Sequence, residues 1–528
     1  MRALGIYSRI NDLFSTIGVL AAILNGGHDL FADSITSTNS PQSAATYPPD
    51  AAANLPKPTP RQAAWQDAEL GMFFHFDIEV FDKYYQYDHP KNKPTTTTQA
   101  AGGGSTTKPA SEGPELGSLS PAIFNPVKLN TDQWMQVAQS MGARYTVFTA
   151  KHSSGFLMWQ SNLYPFGVRY TRWENGQGDV VQDFLTSCKK YGIKPGIYCS
   201  ANGNSWWQVH VSDVEYEHGV FTGDPAAKQK FIDMDVQMYT QLFQHTGPLF
   251  EIWFDSGLGF MGDRMDSVLR QYEPDALYFN GPATGFTGNL LRWSGNETGY
   301  VVYPNWYTVA ETSTIKNRSG DPNGQYYVPI ECNVPLRYHV WMWQADDQNK
   351  ILSLSSLMTM YLASVGRGCN LIVNANIDPD GLVPEADAQR LAEFGAEIKK
   401  WFGTSLAETT GRGNEVELQL DHPEQINFVT IMEDITQGQR IRAYAVDGLV
   451  DGQWKQLCTG ESVGHKRIQQ FDPVTVLAVR LRVTQAVAEP LIRKLAVYNI
   501  QTLPPDPNDP VTNLKNRVFM REEKATAH

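Results

Sequence analysis

Glu251-Ile252-Trp253-Phe254-Asp255-Ser256-Gly257 is the stretch on which the fold of this 528-residue chain turns. It is an apolar run that ends in an acid followed by two small residues. That pattern describes a strand stopping at a carboxylate with little bulk beside it. A carboxylate capping the next helix, or paired with an arginine, would leave the same trace, so the flanking sequence decides what it means.

On both sides, short apolar runs alternate with amphipathic stretches, the signature of βαβ units and a parallel sheet. Strands are expected at 71–75, 145–150, 194–200, 249–255, 276–280, 291–295, 326–331 and 369–374. Helices are expected at 132–141, 179–191, 225–245, 266–272, 353–365 and 385–402. Eight strands are what a closed (β/α)8 TIM barrel needs, so the fold class is α/β, with residues 63–404 as the barrel. The Thr95–Thr98 and Gly102–Ser105 runs mark 93–117 as a low-complexity insertion after the first strand.

After 402 the pattern changes to short alternating strands at 416–420, 427–432, 440–446, 454–457, 465–470, 478–483 and 494–498. That predicts a C-terminal antiparallel β-sandwich over 405–503, followed by a disordered tail at 504–528. At the other end, Arg2 and Arg9 precede an apolar run from Leu13 to Leu24 that is too short to anchor in a bilayer. Residues 1–32 therefore read as a signal peptide of an exported protein, and the Ser-, Thr- and Pro-rich 33–62 as a linker.

Composition narrows the function. A net charge of −13 with no clustered Lys/Arg face excludes nucleic acid as a partner, and no later segment is apolar for long enough to span a membrane. Five scattered cysteines form neither a disulfide framework nor a metal motif, so most are expected as core thiols with at most one disulfide. No His/Asp/Glu set has metal-ligand spacing, and there is no Walker loop or dinucleotide fingerprint, so no metal or cofactor is expected. The sequence does not fix the oligomeric state.

In a β/α barrel the reactive side chains stand at the C-terminal ends of the strands. The polar residues there are His75, His152, Asp255, Glu297 and Glu331, with Trp159, Trp206, Trp207 and Trp253 nearby as walls. Carboxylates, imidazoles and indoles at one rim suit a sugar, whose C–H faces stack on aromatics while its hydroxyls take hydrogen bonds. His152 could equally be a core histidine, and His75 sits among alternating aromatics that suit packing. Asn296-Glu297-Thr298 is a formal glycosylation sequon, expected to be unused beside a pocket, with Asn317-Arg318-Ser319 the better glycan site.

At these residues the chain resembles glycoside hydrolase family 29, the α-L-fucosidases, and within it the α-1,3/1,4-specific branch. The matching blocks are Gly71 to Phe76, Phe124-Asn125-Pro126, Lys151-His152 with Gly155-Phe156, Trp253-Phe254-Asp255, Trp293 to Glu297, Val328 to Cys332, and Ser364 to Arg367 running on to Asn374. The resemblance implies removal of terminal α-L-fucose from glycans by a retaining double displacement. It makes Asp255 the nucleophile and places His75 and His152 on fucose hydroxyls. Glu297 is then the acid/base, held protonated by burial among aromatics, and Glu331 is its rival.

Two departures bear on the sugar. Ser153 and Ser154 stand where the family usually has His and Asp, and Glu79 or Tyr84-Tyr85 stands where a Glu-Trp pair is common. A pocket lacking one imidazole could instead take α-L-galactose or a sulfated fucan. A third possibility is a non-catalytic carbohydrate-binding protein.

Overall fold

Strand β4 (Glu251–Asp255) organises the molecule, because alternation puts Glu251, Trp253 and Asp255 on one side and Ile252 and Phe254 on the other. Phe254 packs outward on Tyr239 of helix α4 (Pro225–Thr246), with ring centroids 5.5 Å apart. Trp253 packs inward with Phe73, Tyr145, Val147, Tyr198, Phe279 and Ile372, which come from five other strands. Only the inside of a closed barrel brings those side chains together.

The computed structural model describes residues 47–48, 51–86, 115–209, 214–215, 220–221, 224–255, 257–282, 285–311 and 318–511. The expected leader at 1–32, most of the 93–117 insertion and Asn317 lie outside the described residues. The barrel strands are β1 (Leu70–His75), β2 (Tyr145–Lys151), β3 (Lys194–Ser200), β4, β5 (Leu277–Phe279), β6 (Leu290–Trp293), β7 (Ile330–Pro335) and β8 (Asn370–Asn376). Each pairs in parallel with its chain neighbours, and β8 closes on β1. Besides α4, the outer helices are α2 (Thr131–Met141), α3 (Val180–Tyr191), α5 (Asp266–Tyr272), α6 (Leu354–Ala363) and α7 (Glu385–Phe402).

Local chemistry sets the helix ends. Asn130 and Asp179 cap α2 and α3 by accepting from the Gln133 and Gln182 N–H groups, and left-handed Gly142 and Gly192 end them. Among the described residues no α-helix lies between β5 and β6 or between β6 and β7.

Three expectations are corrected. The seventh strand runs from Ile330 to Pro335 rather than over 326–331, because Tyr326–Tyr327 pairs with Thr308–Val309 outside the barrel and Pro329 separates the two pieces. The last residues of the expected linker belong to helix α1 (Pro60–Gln66), capped by Thr59. Its Trp65 is fully buried and donates to Glu251 at 2.8 Å, so α1 plugs the N-terminal end of the barrel. Residues 504–511 are ordered rather than a loose tail: the Asp509 carboxylate accepts from the Ser353 N–H at the start of α6, 3.1 Å away, and Val511 is buried.

The C-terminal part has six antiparallel strands: β9 (Ala407–Arg412), β10 (Glu415–Glu433), β11 (Ile441–Val450), β12 (Gln453–Gly460), β13 (Arg467–Ala486) and β14 (Leu491–Tyr498). They run β9-β14-β10-β13-β11-β12 across one sheet. The sequence suggests seven because 416–420 with 427–432, and 465–470 with 478–483, are halves of the long strands β10 and β13, while β9 is not among the expected strands. Register shifts break each long strand where the two halves meet. The sheet has its own core, which includes Val429, Ile431, Val479, Leu481, Leu495 and Val497.

This sheet is fastened to the barrel by packing and by charge. Phe402 of α7 meets Phe428 at 6.1 Å and Tyr498 at 5.4 Å. Just before β1, Glu69 receives His465 Nε2 at 3.1 Å and Lys466 Nζ at 2.5 Å, while Arg493 reaches Asp67 at 2.8 Å. Burial alone would raise the pKa of Glu69, but Lys466 and His465 overcome it and hold the group at about 2. A carboxyl lowered from 4.5 adds stability that is complete above pH 4.5 and is lost as pH falls towards 2. Thermal melts in a pH series should therefore show Glu69→Gln melting several degrees below the parent at pH 7, with the gap closing below pH 4. An equal gap at every pH would remove the ion pairs from the explanation.

Candidate active site

The inward side chains at the C-terminal rim form one connected cluster. His75 ends β1, and its Nδ1 lies 2.8 Å from Asn374 Oδ1 on β8. The His75 ring is 5.7 Å from that of His152, 5.6 Å from Tyr198 and 4.9 Å from Trp341. Tyr198, third from last in β3, stacks on His152 at 5.5 Å and donates its hydroxyl to Asp255 Oδ2 at 2.7 Å. Trp341, on the loop between β7 and α6, donates its indole N–H to Glu297 Oε2 at 3.1 Å.

Two of these placements depend on special local structure. Glu297 follows Gly295, whose φ of 78° turns the chain sharply after β6. The Asn296 side chain then closes the turn, accepting from the Thr298 N–H and donating to the Tyr300 carbonyl at 3.0 Å. The Asn296 amide is therefore engaged by the backbone of its own loop. Below His152, the buried Lys151 ammonium donates to the carbonyls of Ser200 and Gly203, fixing the loop after β3.

Electrostatics separates the roles. Burial, then the neighbouring His152, holds His75 well below the ordinary histidine value, and burial with the Lys151 charge lowers His152 to about 4. Both rings are neutral near pH 6 and can donate and accept hydrogen bonds. Burial and the Asp255 charge raise Tyr198 well above its ordinary value, so it remains an O–H donor to that carboxylate. The charge of Glu297 adds a smaller push in the same direction. The rim thus offers an oriented carboxylate, neutral hydrogen-bonding rings, an indole face and a second carboxyl at the edge.

The other expected site residues have different surroundings. Glu331 is the second residue of β7, so it sits deep in the barrel rather than at its mouth. It accepts from Tyr145 at 2.5 Å and Trp253 at 2.8 Å, is fully buried, and faces Glu251. Trp253 lies one layer below Asp255, stacked on Phe279 at 3.4 Å. Trp159 is wholly buried in the core between strands and helices. Trp206 stacks on Phe166 and Tyr164 at 5.2 and 6.3 Å. Glu297 is exposed rather than buried among aromatics, because its loop carries it past the last turn of the barrel.

Three rim residues escape the sequence reading. Tyr198 follows the period of β3 and could have been found by counting inward positions. Asn374 could have been found in the same way on β8. Trp341 lies in a loop without periodicity, and nothing in the sequence marks it.

The alpha-L-fucosidase family model matches residues 34–401. The chain belongs to this family. Alpha-L-fucosidase 1 of Arabidopsis thaliana is 28% identical over 495 residues, covering 84% of this chain and 88% of that protein. A candidate alpha-L-fucosidase from Bacteroides thetaiotaomicron is 35% identical with a TM-score of 0.73, covering 85% of this chain and all of that one. The fold is also that of a Ruminococcus gnavus family 29 fucosidase solved with fucose, 19% identical with a TM-score of 0.67 over 87% of this chain and 97% of that one. The protein is a glycoside hydrolase, and the rim cluster is the candidate active site of this fucosidase-family barrel.

The buried Glu251–Glu331 pair gives the barrel a measurable signature. Burial raises both groups, Glu331 to about 7 and Glu251 well above its ordinary value, where the charge of Glu331 adds to burial. A carboxyl raised from 4.5 adds stability that is complete below pH 4.5 and is lost as pH rises through 7. Glu331→Gln puts a neutral amide where the raised carboxyl stood, so its melting temperature should fall less than the parent's between pH 5 and 8. Parallel melting curves for the two proteins would contradict a titrating carboxyl at this position.

Proposed function

We propose that the protein is a retaining exo-α-L-fucosidase that removes terminal α-L-fucose from glycans by double displacement. The observation that carries this is the convergence of Tyr198-held Asp255 and Trp341-held Glu297 beside two neutral histidines. Asp255 attacks the anomeric carbon while Glu297 protonates the leaving oxygen, giving a glycosyl ester on Asp255. Glu297 then takes a proton from water, and the water cleaves the ester with overall retention. His75 and His152 bind sugar hydroxyls as neutral donors and acceptors. The exposed position of Glu297 suits a leaving group of variable size outside the sugar pocket.

Glu297 is preferred over Glu331 because the latter is enclosed by Tyr145, Trp253 and Glu251, where no leaving group can reach it. The Trp293 to Glu297 block supports a preference for α-1,3/1,4-linked fucose. One observation favours a second sugar: Ser153 Oγ lies 3.2 Å from His152 Nδ1, where the family usually has an imidazole. The shorter side chain leaves room for α-L-galactose or a sulfated fucose.

Incubation with an aryl α-L-fucoside, followed by NMR, should show the α-anomer as first product, and Asp255→Ala should lower kcat by at least about a thousandfold. An aryl α-L-galactoside in parallel separates the two sugars. Appearance of the β-anomer first, or near-parental activity of Asp255→Ala, would refute the mechanism.

A further inference from the structure

We propose that Trp341 is a positioning residue that aims the proton-donating carboxyl at the bond being cleaved, referenced to the sugar-binding His75. The inference rests on the reading of Glu297 as acid/base. Glu297 is exposed, and an exposed glutamate left alone spreads over many rotamers. The Trp341 N–H to Oε2 bond at 3.1 Å narrows that distribution. An indole N–H serves both protonation states, because it donates to a carboxylate or to the C=O oxygen of the acid. The other oxygen is left to carry the catalytic proton.

The loop that bears Trp341 is anchored at several points. Its carbonyl and that of Val340 accept from Asn374 and Asn376 on β8, at 3.1 and 3.2 Å. Asn374 is also the partner of His75, so one amide side chain touches both the sugar-binding imidazole and the Trp341 backbone. The buried Arg337 binds Asp347 and, at 2.9 Å, Asp387 of α7, which pins both ends of the 337–347 segment. Ala345 N donates to Gln86 O at 2.7 Å, joining the loop to the one after β1. The indole ring lies tilted against His75, 4.9 Å between centroids, and its N–H edge meets Glu297. A residue serving only as packing would not need that polar edge at the acid.

The experiment compares kcat/KM for 4-nitrophenyl α-L-fucoside, whose leaving group needs little protonation, with a fucosylated disaccharide, whose leaving group needs it fully. The proteins are the parent, Trp341→Phe, Trp341→His and Glu297→Gln, each checked by circular dichroism and thermal melting. Trp341→Phe should lose about tenfold on the disaccharide and less than about threefold on the aryl substrate, so that the loss follows the leaving group. Trp341→His, which restores a ring N–H, should recover part of the disaccharide rate. Equal losses of Trp341→Phe on both substrates, or no loss, overturn the proposal. If Glu297→Gln discriminates between the substrates and Trp341→Phe does not, Trp341 alone falls. If Glu297→Gln does not discriminate, the reading of Glu297 falls and takes this inference with it.

Discussion

Side-chain alternation in a closed parallel barrel governs this protein. A strand with period two in the wall of a cylinder sends every second residue inward towards the axis. In β4 that forces Glu251, Trp253 and Asp255 into a column in which depth sets the chemistry. The lowest acid is sealed from below by Trp65 and faces a second carboxyl, the indole forms a middle floor, and the uppermost acid stands at the rim. Two carboxylates four residues apart on one strand thus differ because one is enclosed and the other is held at the rim by a phenol.

Much of this was legible in the chain. The strand-and-helix alternation gave the barrel, and the acid ending an apolar run gave Asp255, because both follow from local periodicity. His75 and His152 were legible as strand-end residues, although only their contact with Tyr198 separates them from ordinary core histidines. The seventh strand failed at Pro329, where two apolar pieces with different partners look continuous, and that four-residue slip moved Glu331 from the floor to the mouth. Trp159 lies in the core because an indole near a motif packs inward as readily as outward. Trp341 was invisible, since its position depends on Arg337, Asn374 and Asn376, which are distant in sequence or carry no pattern.

Polar groups inside this barrel are mostly arranged in answering pairs. Asn374 answers His75, Asn333 answers Trp293 at 2.7 Å, and the two floor carboxyls answer Tyr145, Trp65 and Trp253. Such networks cost desolvation but fix each ring in one orientation, and a sugar-binding site needs that fixity more than it needs stability.

The missing helices around β6 give the two acids different supports. Asp255 stands on a strand backed by α4, whereas Glu297 projects from a turn with no α-helix behind it among the described residues. Exchange of that turn for one of another length would leave the barrel wall intact. Natural variation and laboratory loop grafting can therefore change the setting of Glu297 while Asp255 keeps its own, which makes the segment after β6 the evolvable part of the fold.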